Sequence, residues 1–471
     1  MPPENYRYGG GAAQSLIHPL VALFLIAGLI CIVCLPRKYS ALPMLWIVLL
    51  VPSSQQFCIA GLHFFVLRLI ILAGIIRAKA DPGISGGRTR DTREIDRAFV
   101  ACTLAQVIAP ILLFREAQAL IYQIGYLWDW LGGYILVRWI IQDEQDIYRL
   151  LKIMAVLLVP VAVGMCIEQK SMFNIFSMLG GLPNTPEVRM GTIRAQGVFE
   201  HSLMAGSFGA VLIPLFYLLW KEGRSKVIAS VGLIAASTMV FASHGSTALL
   251  GYIGGIGAIC LWPLRKRMRQ LRFLLVGALV GLQIVMKAPV WFLIARVDLT
   301  GGSSSYHRAE LVDQFIRHFS QWWFIGTNDN ASWGLDMFDV QNQYVNAGLA
   351  GGIIGLVFFI ATISRGFGAV GNIRKCQART GHGEWVSWLL GCALFANVVV
   401  FFGVNFFDQS RFAYLAIISM IAGYSAATAE ARARSKPVAA RANAVERMDR
   451  IPICSLSVSP LGANCITVEK P

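Results

Sequence analysis

The sequence predicts an all-α, polytopic integral membrane protein with twelve or thirteen transmembrane helices and two long outer loops. Three observations carry that reading. First, hydrophobic residues make up 56% of the 471-residue chain and charged residues only 14%, against about a quarter in soluble proteins. With a mean hydropathy of +0.59, the chain lacks the polar groups to cover a water-facing surface. Second, its apolar stretches are continuous and about 20 residues long, as a helix crossing hydrocarbon requires, not the short alternating segments of a β-barrel. Third, Lys and Arg outnumber Asp and Glu by 41 to 26 and fall in short connections and the C-terminal tail, the pattern that orients cytoplasmic loops. The net charge of +15 therefore reads as topology. The lipid bilayer is the expected partner, and nucleic acid is not.

The apolar segments are, in order, 17–35, 41–52, 57–77, 98–114, 119–137, 150–166, 203–220, 226–242, 245–263, 273–294, 344–363, 385–406 and 411–428. The second is too short for a straight span and reads as a re-entrant piece or half of a broken helix, hence the uncertain count. The first lacks a basic n-region and a small-residue cleavage site, and reads as a retained span. Residues 1–428 form the helical domain. Residues 429–471, rich in Ala, Arg and Ser without an apolar period, are expected to be a disordered cytoplasmic tail. Four basic stretches set the orientation: Arg77 to Arg97, Arg265 to Arg269, Arg374 to Arg379, and the tail. With these inside, the connections at about 168–202 and 297–343 fall outside. The second contains a stretch from His307 to Phe324 whose apolar residues Leu311, Phe315, Phe319 and Trp322 recur at helical spacing. Most cysteines lie in apolar runs, where Cys acts as a small hydrophobe, and no metal site is expected.

Polar residues at the loop-to-helix junctions are the candidates for chemistry. Arg194, Gly197, Phe199, Glu200 and His201 stand where the first outer loop meets a span. An arginine fork grips phosphate oxygens in pairs, and Glu200 or His201 has the chemistry to take a proton from a hydroxyl. The plainer alternative is an interfacial Arg snorkelling to headgroups while His and Glu cap the helix. Ser243 and His244 mark a turn between two spans, which serves equally as a polar connection. Tyr306, His307, Arg308, Glu310 and Asp313 open the amphipathic stretch, where Arg308 is either a ligand or paired to Glu310 or Asp313. Asp339, Gln341, Asn342 and Tyr344 precede a Gly-rich span and suit a sugar's hydroxyls, or else helix capping. Charges inside hydrocarbon cost about 3 kcal/mol or more, which marks Asp129, Arg68, His63 and Arg138; Asp129 is a partner for Arg68.

The order of these fragments resembles the O-antigen ligase/polymerase family of bacterial envelope polysaccharide assembly, over about residues 95–425. They run Arg-x-x-Gly-x-Phe-x-His at a helix start, a Ser-x-Gly turn, a long loop with Arg308, then the polar box from Asp339 to Gly352. The resemblance implies a GT-C type membrane glycosyltransferase, multi-pass in the bacterial inner membrane, without metal or other cofactor. Its substrate would be a polyprenyl-diphosphate-linked oligosaccharide, with a chain-length regulator and other polysaccharide assembly proteins as partners. Arg194 and Arg308 would hold the diphosphate, and His201, Glu200 or Asp339 would orient or deprotonate the attacking hydroxyl. His244, His307, Gln341, Asn342 and Tyr344 would bind substrate. Two positions depart from the family's ligases. Gln341 stands where a His is usual, and His244 replaces the Arg of a Ser-Arg-Gly turn. The first departure favours a polymerase of an exopolysaccharide or O-antigen over an O-antigen ligase. A secondary transporter or flippase is the alternative from another class.

Overall fold

The computed structural model describes residues 15–59, 62–80, 90–223, 225–296, 305–377 and 382–449. Among them the architecture is all-α: sixteen α-helices and two small antiparallel hairpins. Helices α1 (Pro19–Cys34) and α2 (Ala41–Leu50) are followed by hairpin β1–β2 (Gln56–Ile59, Leu62–Phe65) and α3 (Val66–Ala80). Then come α4 (Arg90–Phe114), α5 (Ala117–Leu127), α6 (Gly133–Ile140) and α7 (Glu144–Ser171). Hairpin β3–β4 (Glu187–Arg189, Thr192–Arg194) leads into α8 (Ser202–Lys221), α9 (Lys226–Ala242), α10 (Ser246–Cys260) and α11 (Met268–Val285). The last are α12 (Ser305–Arg317), α13 (Phe319–Trp322), α14 (Gln343–Gln377), α15 (His382–Val400) and α16 (Arg411–Asp449).

Each of the thirteen apolar segments contains helix, but only seven described helices are long and apolar enough to cross a membrane unbroken: α4, α7, α8, α11 with the turn before it, α14, α15 and the first part of α16. Two differences have local causes. Segment 57–77 is not one helix; its aromatic and β-branched start pairs as a hairpin, Gln56 opposite Phe65. Segment 119–137 is interrupted by a π-turn over Trp128–Gly132, a feature frequent at functional positions. There Asp129 meets Arg68 through two bonds of 2.9 and 3.0 Å, and Arg411 approaches at 3.6 Å. The expected Arg68–Asp129 pair is thus present, with the one carboxylate set between two arginines. Beyond Ala427 the chain forms a separate unit, Thr428–Pro471. Its backbone is helical to Asp449, where the sequence predicts a disordered tail from residue 429; Ala, Arg and Glu are strong helix formers. The rest of the tail, and residues 297–304 of the second loop, lie outside the described residues.

The core centres on α8, whose apolar window is 94% buried, packed by α7, α9, α10 and α15. A Cβ at Gly206 would stand 2.1 Å from Ser243 Oγ, so this glycine lets the α9–α10 turn sit directly on α8. Helix α14 is broken at Gly352, whose φ of 61° departs from the helical value. The bond that Ile353 N–H would give Leu349 C=O in a regular helix is replaced by two from the preceding loop. Ile353 donates to Trp323 O at 2.8 Å, and Thr327 donates to Leu349 O at 3.0 Å. The loop approaches so closely that a Cβ at Gly326 would lie 2.0 Å from Leu349 O.

Candidate functional site

Arg194 ends the β3–β4 hairpin, whose register sets Glu187 opposite it. Met190 and Gly191 link the strands, both with positive φ, 48° and 77°, as tight hairpin turns require. Arg194 Nη1 bonds Glu187 Oε2 at 3.0 Å, and the arginine is only 6% exposed. Its Nε is buried without a partner. The following residues are pinned from several sides. Ala195 N–H and Gln169 Nε2 both donate to Ala242 O at 3.0 Å. The Gln196 and Gly197 amides donate to the buried Glu168 carboxylate at 3.1 and 2.8 Å. Arg194 is thereby lashed to the end of α9, beside the Ser243–Gly245 turn. His244, left-handed at φ 45°, lies within electrostatic reach of it; burial and then the Arg194 cation hold His244 below the ordinary histidine range.

His201 is the N-cap of α8: its Nδ1 accepts from Leu203 N–H at 3.1 Å. That bond uses the lone pair of Nδ1, so a neutral ring carries its proton on Nε2, which faces Glu187 Oε2 at 3.5 Å. Burial keeps His201 below its usual range, with Glu187 and Asp339 pulling up and Arg194 and Arg189 pulling down. A capped, neutral His201 is suited to donate and orient. Glu200, exposed at the rim, bonds Ser53 Oγ, and its backbone N–H donates to Asp408 Oδ2 at 3.4 Å. Asp408 is fully buried and also accepts from Ser410 N–H at 2.7 Å. Desolvation raises both carboxyls, and Asp408 raises Glu200 further.

The second loop supplies the other wall. Helix α12 is held to the start of α14 by a cluster of Leu311, Phe315, Trp322, Trp333 and Met337; Phe319, expected in that stripe, is exposed. Arg308 is 5% exposed, and its Nη2 lies 3.5 Å from Gln341 Oε1. Asp313 takes Arg317 and Trp291 Nε1. Gln341 Nε2 in turn donates to the Asp339 carboxylate, and His307 Nε2 approaches Asp339 O at 3.1 Å. Asn342 and Tyr344, expected to bind substrate, both make contacts within the fold. Asn342, 1% exposed, caps α14 through its Oδ1 to the amides of Tyr344 and Val345. The Tyr344 ring packs among Phe359, Phe401 and Phe402, with its hydroxyl on Val398 O at 3.2 Å. The Asn342 cap satisfies amides that a helix start beneath a loop would otherwise leave open.

Two polar strings result: Arg308–Gln341–Asp339 from the second loop and Arg194–Glu187–His201 from the first, with Asp339 within electrostatic reach of His201 and Arg194 within electrostatic reach of His244. The two arginines, from different loops, each end one of these strings. The cluster has cations for an anion, a neutral histidine for orientation, and the carboxylates of Glu200 and Asp339 as proton acceptors. Sequence reasoning passed over Glu187, Asp408 and Ser53, which partner the residues it did select. Beside the cluster a cavity of about 900 Å³ runs between α7, α8, α9 and α10, lined by His244, Phe241, Tyr252, Ser237, Leu233 and Cys260 among others. Neither arginine lines that cavity. Among the described residues, no group of three or more His, Cys, Asp or Glu is disposed to hold a metal ion.

No model of a protein family matches the chain, and no curated protein matches it.

Proposed function

We propose that the protein is a multi-pass polysaccharide polymerase of the bacterial inner membrane, acting at the outer leaflet on polyprenyl-diphosphate-linked glycans. The observation that supports the reading is that Arg194 and Arg308, from two distant loops, each end a polar string, Arg194–Glu187–His201 and Arg308–Gln341–Asp339, with Asp339 of one within electrostatic reach of His201 of the other. Interfacial anchors have no need of such polar strings; ligands of one lipid-linked diphosphate do. In the reaction, a sugar hydroxyl of one lipid-linked unit attacks the anomeric carbon of another. The new C–O bond forms as the bond to the diphosphate oxygen breaks, polyprenyl diphosphate leaves, and the hydroxyl proton passes to Glu200 or Asp339. The arginines stabilise the charge gathering on the leaving group, and Nε2–H of His201 orients an oxygen. Transfer to a lipid A core by a ligase uses the same groups, but Gln341 lacks the basic nitrogen at the family's usual histidine position. A chain-length regulator is the expected protein partner.

The Arg68–Asp129–Arg411 group favours a second reading, since charges among apolar helices mark transport paths; its single carboxylate, however, is already engaged by both arginines. The test is polymer formation by the Arg194→Lys and Arg308→Lys variants in a strain lacking the native protein. Both keep the charge and lose the two-pronged geometry. Loss of polymer with normal membrane insertion is expected. Full polymer in both would return the arginines to an anchoring role, and labelling of a Cys at Ser332 by an impermeant reagent only after lysis would overturn the outer-leaflet assignment.

A further inference from the structure

Helices α8, α10, α14 and α15 all direct one end to the loop cluster, through His201, Ser246, Gln343 and Val400. Their other ends bring together Lys221, the Trp262–Arg267 turn, Arg374 and Glu384. There the indoles of Trp262 and Trp385 stack at 3.7 Å and 16°, with Trp388 edge-on to Trp262 at 5.9 Å. Each cation rests on an aromatic face: Arg265 on Trp262 at 4.0 Å, Lys221 on Trp385 at 5.0 Å, Arg374 on Trp388 at 5.6 Å. One carboxylate serves both arginines, with Glu384 Oε1 at 3.1 Å from Arg265 Nε and 4.0 Å from Arg374 Nε. Arg272 is also within electrostatic reach of Arg374. The neighbouring acids Glu222 and Glu144 act on Tyr148 and Tyr424.

Cations outnumber carboxylate within this cluster, yet the Arg265 and Arg374 side chains are only 23% and 18% exposed. Partly desolvated charge in excess of its one shared carboxylate is costly, unless an anion is supplied from outside. The indole N–H of Trp388 is likewise buried without a partner. Indole rings collect at the depth of lipid headgroups, and basic pockets between helix ends take anionic headgroups. We propose that Arg265, Arg374 and Lys221, set on Trp262, Trp385 and Trp388, form a binding site for the phosphate of an anionic phospholipid. The site lies at the end of the helices opposite the loop cluster. It rests on the membrane-spanning reading above and not on glycan transfer.

The test uses the purified full chain in neutral detergent, with phosphatidylglycerol, phosphatidylcholine and inorganic phosphate as probes. Native mass spectrometry counts retained lipid, and the thermal midpoint reports stabilisation. Phosphatidylglycerol is expected to be retained and to raise the midpoint, while the other two do neither. In the Arg265→Gln/Arg374→Gln variant its affinity should fall by about tenfold or more, as for loss of charge-assisted hydrogen bonds. Arg265→Lys/Arg374→Lys should keep part of it. Equal effects of the two lipids on the native chain would overturn the proposal, as would retained phosphatidylglycerol in a cooperatively unfolding Gln variant. Protection by inorganic phosphate alone would also defeat it, assigning the site to a free anion. Should the double Gln variant not fold, Lys221→Gln and the lipid comparison on the native chain decide. Polymer formation is not read here, so a failed polymerase assignment leaves this outcome distinct.

Discussion

The two ends of the helices bury arginine in different company. At the loop end, Arg194 faces Glu187, and Arg308 faces Gln341, itself bonded to Asp339. At the opposite end, Arg265 and Arg374 share Glu384 and lie on indole faces. The first arrangement surrounds cations with hydrogen-bonding groups that an anion can displace and that can move a proton. The second surrounds them with apolar surface that can only hold an anion still. On the proposed assignments, a reaction site at one end and a docking site at the other would differ in the neighbours of the arginine more than in its burial.

That contrast can be broken by experiment. The largest effect is expected from Arg308→Lys, which should lower polymer synthesis by about a hundredfold, as for loss of one transition-state donor, while the thermal midpoint stays near the native value. A matching loss from Arg265→Lys would erase the distinction between the ends. Asp129→Ala should destabilise the fold by roughly 3–5 kcal/mol, because it strands Arg68 and Arg411; reversible unfolding in mixed micelles measures this, and a change below 1 kcal/mol, about the value of an exposed pair, would refute it. His201→Ala should cost about 1 kcal/mol through the lost cap. His201→Asn should restore stability and not polymer; if it restores both, capping is the residue's whole contribution. The smallest effect concerns pH. Asp408 has a raised carboxyl, so the folded state holds its proton to higher pH than the unfolded chain does. Its contribution is best below the unfolded value of about 3.9 and is lost as pH rises through the folded value. The native midpoint should thus fall relative to Asp408→Asn as pH is raised across that window, and parallel midpoints would contradict it.

Helices were legible because apolar runs of spanning length leave the backbone few alternatives. The hairpin at Gln56–Phe65 was not, since a short run of aromatic and β-branched residues reads equally as helix. Arg194, His201, Arg308 and Asp339 stood out by chemistry at helix starts. Glu187 did not, because its meeting with Arg194 depends on a Met-Gly turn that lacks the Asn-Gly or Asp-Gly signal. Asp408 had a readable sign, an Asp two residues before Ser410 and just ahead of a helix. Its contact with Glu200 arises from loops far apart in sequence. The capping by Asn342 was not singled out because a carboxamide suited to a sugar is equally suited to capping a helix.

The break at Gly352 makes a splint of the loop that fills it. Its two bonds grip opposite sides of the discontinuity, Leu349 before it and Ile353 beyond it. The half-helix cannot tilt at Gly352 without either tearing those bonds or dragging residues 323–327 along. From Ile353 the helix runs on for about 32 Å, at 1.5 Å per residue, to Arg374. A rocking of that arm under a lipid at its far end would thus be felt as torque on the loop carrying Arg308, and a glycan seated on the loop would stiffen the arm in return.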